Sequence, residues 1–143
     1  MAKSGFRLGA VLRARKAQED IAKAAVVRAR ADATAAVQRV RARERDLDGR
    51  AVPNNATAAA YAATLTARQA LAGEVAAAIA LSEVADETVE ERMRELTDAA
   101  VQRRIMEKLQ ERHDLTRKRT EAAAEEKAVD DITTSGSFRG DDT

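Results

Sequence analysis

Length, composition and charge exclude several classes of protein. In 143 residues the chain has 45% apolar but only 2% aromatic side chains, and with 34% charged residues this is typical of long helices rather than of a globular core. Its 25 basic and 24 acidic groups leave a net charge of +1, which disfavours bulk electrostatic binding to nucleic acid or to membranes, and the lack of cysteine excludes disulfides.

The first predicted element is a helix over residues 4–47. Ser4 is its expected N-cap, because a serine hydroxyl can accept a hydrogen bond from an otherwise unpaired backbone amide. The positions that form its seam recur in alternating steps of four and three, a period that makes a helix wind around a partner helix. These positions are Leu8, Leu12, Arg15, Glu19, Ala22, Val26, Ala29, Ala33, Ala36, Val40, Arg43 and Leu47.

A predicted turn over residues 48–56 follows the first helix. Gly49 is expected to end the helix by taking the left-handed conformation, which glycine adopts readily after a helix end. Pro53 disfavours helical continuation at the residue before it. Asn54, Asn55 and Thr57 each offer an N-cap for the next helix. A break of this kind favours a chain that reverses direction.

The second predicted element is a helix over residues 57–132. Gly73 is a weak point in it, costing about 1 kcal/mol relative to alanine. The stripe slips near residue 100, where an added step of four predicts a stutter that unwinds the supercoil locally. Residues 133–143 are expected to form a disordered polar tail. The stripe reads Tyr61, Leu65, Arg68, Ala72, Val75, Ile79, Ser82, Asp86, Val89, Met93 and Leu96, then Thr97, Val101, Ile105, Leu109 and Arg112.

These elements predict an all-α fold, a long antiparallel two-helix coiled-coil hairpin over residues 1–132 with a polar C-terminal tail. The second helix exceeds the first by about thirty residues, or roughly 45 Å. An antiparallel hairpin then leaves an overhang, bends the second helix, or uses its early part as a separate piece near the turn. We favour pairing of residues 6–47 with residues 93–132, with residues 56–89 capping, extending or wrapping the tip. Polar residues within the stripes are expected to fix register. They are Arg15, Glu19, Arg43, Arg68 and Asp86.

No catalytic, metal or cofactor site is predicted. The single histidine, His113, is expected at the surface of a helix, and a two-helix rod lacks the pocket that acid–base catalysis needs. We therefore expect a binding protein and not an enzyme. Tyr61 and Leu65, one turn apart among alanines, either pack the seam or form a docking patch. The charged open end of the hairpin, with Arg13, Arg15, Lys108, Glu111 and Arg112, is the second candidate surface.

Both ends of the chain resemble one family. Phe6-Arg7-Leu8 followed by Val11-Leu12 and Arg15 is similar to the N-terminus of the flagellar export protein FliJ, and residues 107–112 (EKLQER) are similar to its EKL-x-ER segment. The layout of helix, turn, longer helix and tail covers most of the chain. The trailing charges are also similar, and they are Lys118, Glu125, Lys127, Asp130 and Asp131.

The resemblance implies a fold, a location and a set of partners. FliJ-like proteins are antiparallel coiled coils similar to the central stalk of rotary ATPases, and they belong to the cytoplasmic side of the flagellar type III export apparatus. By resemblance, the open end inserts into the hexameric export ATPase. The residues assigned to that partner are Arg13, Arg15, Lys108, Glu111 and Arg112. Tyr61 and Leu65 match an aromatic-x-x-x-Leu pair that docks on the export gate in the membrane. Export chaperones are the third expected partner, and no cofactor is implied.

Two other functions remain open at this point. A generic structural or scaffolding coiled coil would self-associate along its whole stripe, and light scattering separates such a long parallel dimer from a monomeric hairpin. The break at Pro53 favours the hairpin. Nucleic-acid binding through the basic first helix would show a steep salt dependence, and the near-neutral charge disfavours it. Since no apolar run reaches about 18 residues, we expect a cytoplasmic protein that meets the membrane only through partners.

Overall fold

Two long α-helices make up the fold of this chain. The computed structural model describes the backbone of residues 2–137 and the side-chain environments of residues 7–136. Within that part of the chain it contains α1 (Ala2–Asp48) and α2 (Ala58–Ser137), and no strand. The helices pack against each other, which confirms the predicted all-α class and the helical hairpin.

The end of α1 is formed by backbone hydrogen bonds and not by a left-handed glycine. The Gly49 amide donates to the Arg45 carbonyl at 2.9 Å, and the Arg50 amide donates to the Leu47 carbonyl at 3.2 Å. None of the glycines that the structure describes has a positive φ, so the expectation of a left-handed Gly49 is wrong. A Cβ at this position would lie 3.2 Å from the Arg45 carbonyl oxygen, and this close approach is what favours glycine.

Thr57 caps the start of α2. Its Oγ1 accepts a hydrogen bond from the Ala60 amide at 3.2 Å, and its carbonyl accepts one from the Tyr61 amide at 2.9 Å. Helix α1 begins at Ala2, before the predicted cap at Ser4. Helix α2 continues to Ser137, so the first residues of the predicted tail are helical. The rest of that tail, residues 138–143, lies outside the described residues.

The predicted stripe of α1 is its shielded face. Every position of that stripe is buried or half-buried except Arg43, which is exposed. Val26, Ala29 and Ala36 are the buried apolar residues of the described chain, and Glu19 is buried beside them. The Nζ of Lys23 lies 3.4 Å from Oε1 of Glu19. Small side chains at these positions let the two backbones approach closely, although each buried methyl group contributes only about 0.8 kcal/mol.

The predicted stripe of α2 consists of two rows of residues that alternate along the helix. The structure keeps one row on the shielded face and shifts the other by one residue. Residues 68, 75, 82, 89 and 96 are half-buried as predicted, but the alternate positions lie one residue earlier than expected. This rhythm continues past residue 100 without a slip, so the predicted stutter is wrong. The half-buried residues of the second row and of its continuation are Thr64, Leu71, Ala78, Ala85, Arg92, Ala99, Arg103, Met106, Gln110 and His113.

The chain divides into two compact units, unit 1 (Met1–Ala17 with Val101–Thr143) and unit 2 (Gln18–Ala100). Within unit 2, Nη1 of Arg43 lies 3.3 Å from Oε2 of Glu74, and Nη2 of Arg30 lies 3.8 Å from the Met93 sulfur. The start of α2 therefore packs along the second half of α1 in the antiparallel sense. The expected pairing of residues 6–47 with residues 93–132 is therefore wrong for the end of α1, because α2 packs against it directly after the turn, whereas the first part of α1 shares unit 1 with residues after 100.

Unit 1 contains the first part of α1 and the second half of α2. The last half-buried residues of α2 are His113 and Asp114, and every residue from 115 to 136 is exposed. We call residues 115–136 the C-terminal segment. Most of the excess length of α2, which has 80 residues against 47 in α1, therefore lies here. Neither helix has, among its described residues, a stretch apolar enough to cross a membrane.

Candidate partner-binding surfaces

Tyr61 and Leu65 form an exposed apolar pair one turn apart at the start of α2, in unit 2. Their exposed fractions are 47% and 40%, while Thr64 and Arg68 occupy the shielded positions of the same turns. The pair therefore lies beside the seam and not within it. An aromatic and an aliphatic side chain held on a helix lose little conformational freedom on binding, so they can anchor a protein interface.

Arg68 fixes the helix turns that carry this pair. Its Nη1 donates hydrogen bonds to the carbonyl of Leu47, at 3.4 Å, and to the carbonyl of Arg50. The last carbonyls of a helix lack partners within that helix, and the helix dipole favours a cation there. Arg68 therefore joins the start of α2 to the end of α1, which gives Tyr61 and Leu65 a defined position in unit 2.

The charged candidates for ATPase binding all lie in unit 1. Arg13 is exposed on α1, and Lys108, Glu111 and Arg112 are exposed on α2, whereas Arg15 is half-buried. The structure thus brings all five residues into one compact unit. Four of them are accessible to a partner, while the half-buried Arg15 belongs to the seam of α1.

An exposed apolar row on α2 was missed as a surface in the sequence. Val101, Ile105 and Leu109, spaced four residues apart, are 50%, 47% and 44% exposed, although the sequence predicted them in the seam. Lys108 and Arg112 lie within one turn of Leu109. An exposed apolar row with a polar edge can form a protein-binding surface, because such surfaces have an apolar core and a polar rim. The sequence carried part of this signal, since Arg103 and Gln110 continue the predicted rhythm, whereas Met106 belongs to the row that the structure shifts by one residue.

The alanine-rich seam also leaves a groove between the helices of unit 2. The groove has a volume of about 500 Å³, and the small side chains of Ala36, Ala77 and Ala78 line it. The ion pair between Arg43 and Glu74 borders it. The groove follows from alanine at facing positions, because methyl groups fill less of the space between helices than leucine side chains do.

Arg92, in the shielded row of α2, is held by a neighbour on its own helix. Its Nη1 donates to both carboxylate oxygens of Glu95, at 2.8 Å and 2.9 Å. This hydrogen bonding, together with the attraction of the carboxylate charge, raises the pKa of Arg92 above its usual value. An arginine is charged at physiological pH in any case, so what the Glu95 pair adds is a defined orientation of the partly exposed guanidinium.

Comparison with known proteins identifies the family. The family model described as flagellar FliJ protein matches residues 4–141, nearly the whole chain. The chain belongs to the flagellar FliJ family. It is accordingly a component of the flagellar export apparatus, and FliJ proteins are structural components of that apparatus and not known enzymes. No curated protein and no solved structure matches the chain.

FliJ membership confirms the resemblance carried by the two ends of the chain. The family match covers the exposed pair in unit 2 and the charged residues and apolar row in unit 1. These are two separate accessible surfaces on a FliJ hairpin, each with side chains suited to protein partners.

Proposed function

We propose that this FliJ-family chain is a stalk-like coiled coil that couples the hexameric export ATPase to the export gate and assists export chaperones. The family match over residues 4–141 is the observation that carries the proposal. Under this proposal the protein acts in the cytoplasm and meets the inner face of the membrane only through its partners. The packed pair of long helices supports a mechanical role, since such a pair is stiffer than a single helix.

The ATPase-binding surface is proposed to lie in unit 1. It consists of Arg13, Arg15, Lys108, Glu111 and Arg112, and the apolar row of residues 101, 105 and 109 supplies its hydrophobic part. The combination supports this role because the apolar row can bury area against a partner while the charges select orientation and speed encounter. A two-helix end seated in a six-membered ring meets each subunit differently, so it can bias their conformations.

The gate-binding surface is proposed to be the Tyr61–Leu65 pair in unit 2. Its exposure supports this assignment, because residues packed in the seam would be inaccessible to a second protein. Under the proposal the same chain thus binds the ATPase through one unit and the gate through the other.

The ATPase half of the proposal is tested by adding the protein to its cognate export ATPase. Hexamer formation is measured by light scattering and ATP turnover by phosphate release, and both should rise. The double variant Arg13→Glu/Arg112→Glu should lose both effects, because it reverses two exposed cations of the proposed surface. Arg28→Glu/Arg41→Glu changes the net charge by the same amount at exposed positions in unit 2 and should retain both effects.

Two results would count against this assignment. If the unaltered protein changes neither hexamer formation nor turnover, the coupling role is wrong. If both double variants lose activity equally, the effect reflects total charge and not the surface in unit 1. Circular dichroism of each variant shows that a loss of activity does not come from a loss of helix.

A further inference from the structure

The C-terminal segment is a helix with no shielded residue. Residues 115–136 are helical and exposed throughout, including Leu115, Val129 and Ile132, which are 50%, 60% and 71% exposed. The segment is roughly 33 Å long at 1.5 Å per residue. An unpacked helix of this length is marginally stable in water, and most helices gain their stability by packing an apolar face. A second helix packed against this segment would therefore stabilise it.

One face of the segment carries an ordered pattern of side chains. Leu115, Ala122 and Val129 follow one another at intervals of seven residues, which places them in a line along the helix. Charged residues flank this line, all within roughly 60° of Ala122 at about 100° per residue. They are Lys118 and Arg119 on the N-terminal side of Ala122, and Glu125 and Glu126 on its C-terminal side.

This pattern is complementary to itself when one copy is reversed. With a two-fold axis at Ala122, Leu115 of one copy meets Val129 of the other. Lys118 then lies on the same edge of the interface as Glu125 of the other copy, and Arg119 on the same edge as Glu126, twice each by symmetry. A parallel pairing would place each of these charges opposite its own copy and would be repulsive. The charges therefore specify the antiparallel arrangement.

We propose that residues 115–136 pair with the same residues of a second copy of this chain, in antiparallel orientation about Ala122. The interface is of the isologous type, in which the same surface is used by both copies. Each copy keeps its own helical hairpin, so this dimer differs from a coiled coil in which whole chains run in parallel. The proposal does not depend on the partners proposed above, because it concerns the chain alone.

The interface should be weak and reversible. Its apolar line contains only two large side chains per copy, Leu115 and Val129, and one alanine at the centre, which places it at the low end of specific interfaces. The charge pairs are exposed and are screened by salt. The dimer should therefore form at micromolar protein concentration, dissociate on dilution and weaken as ionic strength rises.

Sedimentation equilibrium of the full chain at low salt tests the proposal. The average mass should rise with concentration from the 15.4 kDa of one chain toward twice that value. K118E/R119E should stay monomeric, because it places like charges opposite each other in the reversed pair. R117E/K127E is the matched control, since it changes the net charge equally on the opposite side of the helix. The control should dimerise as the unaltered protein does.

Reversing the charges on the other side of Ala122 gives a second test, in which mixing two monomeric variants should restore the dimer. E125K/E126K should also be monomeric alone, but an equimolar mixture with K118E/R119E should contain one-to-one dimers. A chain carrying all four substitutions should dimerise with itself again. Circular dichroism on each variant reports whether residues 115–136 remain helical, which separates a lost interface from a lost helix.

Engineered cysteines determine the direction of the pairing, since the natural chain has none. A mixture of L115C and V129C chains should form mixed disulfide dimers faster than either chain forms its own. Faster L115C self-linking would indicate the parallel arrangement and would overturn the proposal. A mass that stays at one chain through the high micromolar range would also overturn it. Neither result bears on ATPase activation, so this proposal and the proposed function can fail separately.

Discussion

The guanidinium of Arg68 lies against the carbonyl oxygen of Leu47, with 3.4 Å between Nη1 and that oxygen. The same nitrogen also donates to the Arg50 carbonyl. A residue of α2 thus adds a second hydrogen bond to the Leu47 carbonyl, which already accepts one from the Arg50 amide, at a helix end where carbonyls outnumber donors. A polar residue in the predicted stripe, expected only to fix register, acts as a link between the two helices.

Replacing Arg68 with glutamine should destabilise the hairpin by about 1 kcal/mol. Hydrogen bonds to a charged group contribute about 1.5–3 kcal/mol, and partial exposure of this site reduces that contribution. Glutamine has nearly the same helix propensity as arginine, so the loss reports these hydrogen bonds. Thermal unfolding followed by circular dichroism measures it. Arg104→Gln, at an exposed position of the same helix, should leave the midpoint unchanged, and equal loss in both variants would rule out a contribution from these hydrogen bonds.

Replacing Gly73 with alanine should stabilise the protein by about 1 kcal/mol. Glycine costs that amount in a helix interior, and a Cβ added at Gly73 meets no atom within 4 Å. The neighbouring exchange Ala72→Gly should cost a similar amount, which makes it a control of opposite sign. Urea unfolding measures both. Destabilisation by Gly73→Ala would mean that this helix turn is distorted or that a partner approaches its backbone closely.

Replacing both Tyr61 and Leu65 with alanine should weaken binding to the cytoplasmic part of the export gate by about 30-fold or more. Anchor residues at interfaces cost about 2 kcal/mol or more when truncated. Calorimetric titration measures the affinity. Leu81→Ala/Val84→Ala removes two other exposed apolar side chains of unit 2, which are 60% and 57% exposed, and should bind normally. Equal binding by all three proteins would contradict the gate assignment.

Spin labels at Arg43 and Glu74 should give a short and narrow distance distribution. These side chains form an ion pair at 3.3 Å, so their positions lie directly across the seam of unit 2. Pulsed dipolar spectroscopy on the doubly labelled chain measures the distance. Dilution with unlabelled protein separates contacts within one chain from contacts between chains. A long or broad distribution would contradict the antiparallel register that the structure shows in this unit.

The sequence predicted α1 better than α2, and the reason lies in their side chains. In α1 the stripe from Leu8 to Leu47 competes with no other line of comparable apolar content, so its shielded face could be found. In α2 the shifted row gains Leu71 in place of Ala72 and loses Ile79 in favour of Ala78, so the two exchanges together change the apolar content little. Packing then follows the partner helix, and the seam takes Leu71 and Ala78.

Large apolar residues misled the prediction beyond residue 100. Val101, Ile105 and Leu109 suggested a shift in phase, whereas the structure keeps the phase with Arg103 and Met106 and leaves the larger residues exposed. Side chains that bind partners break the rule that apolar residues face the seam. The motifs at both ends of the chain were enough to find the family. A single sequence does not distinguish an apolar row that packs against the other helix from one that binds a second protein.

The small side chains of the seam affect how often the two helices separate locally. Among the described residues, Val26, Ala29 and Ala36 are the only apolar side chains that are buried. Separating the helices over a single turn thus sacrifices little, so amide protons should exchange with solvent through many brief local openings. Any molecule that binds only the closed form would suppress those openings in proportion to its concentration. The binding partners of this protein therefore determine how long its two helices stay paired.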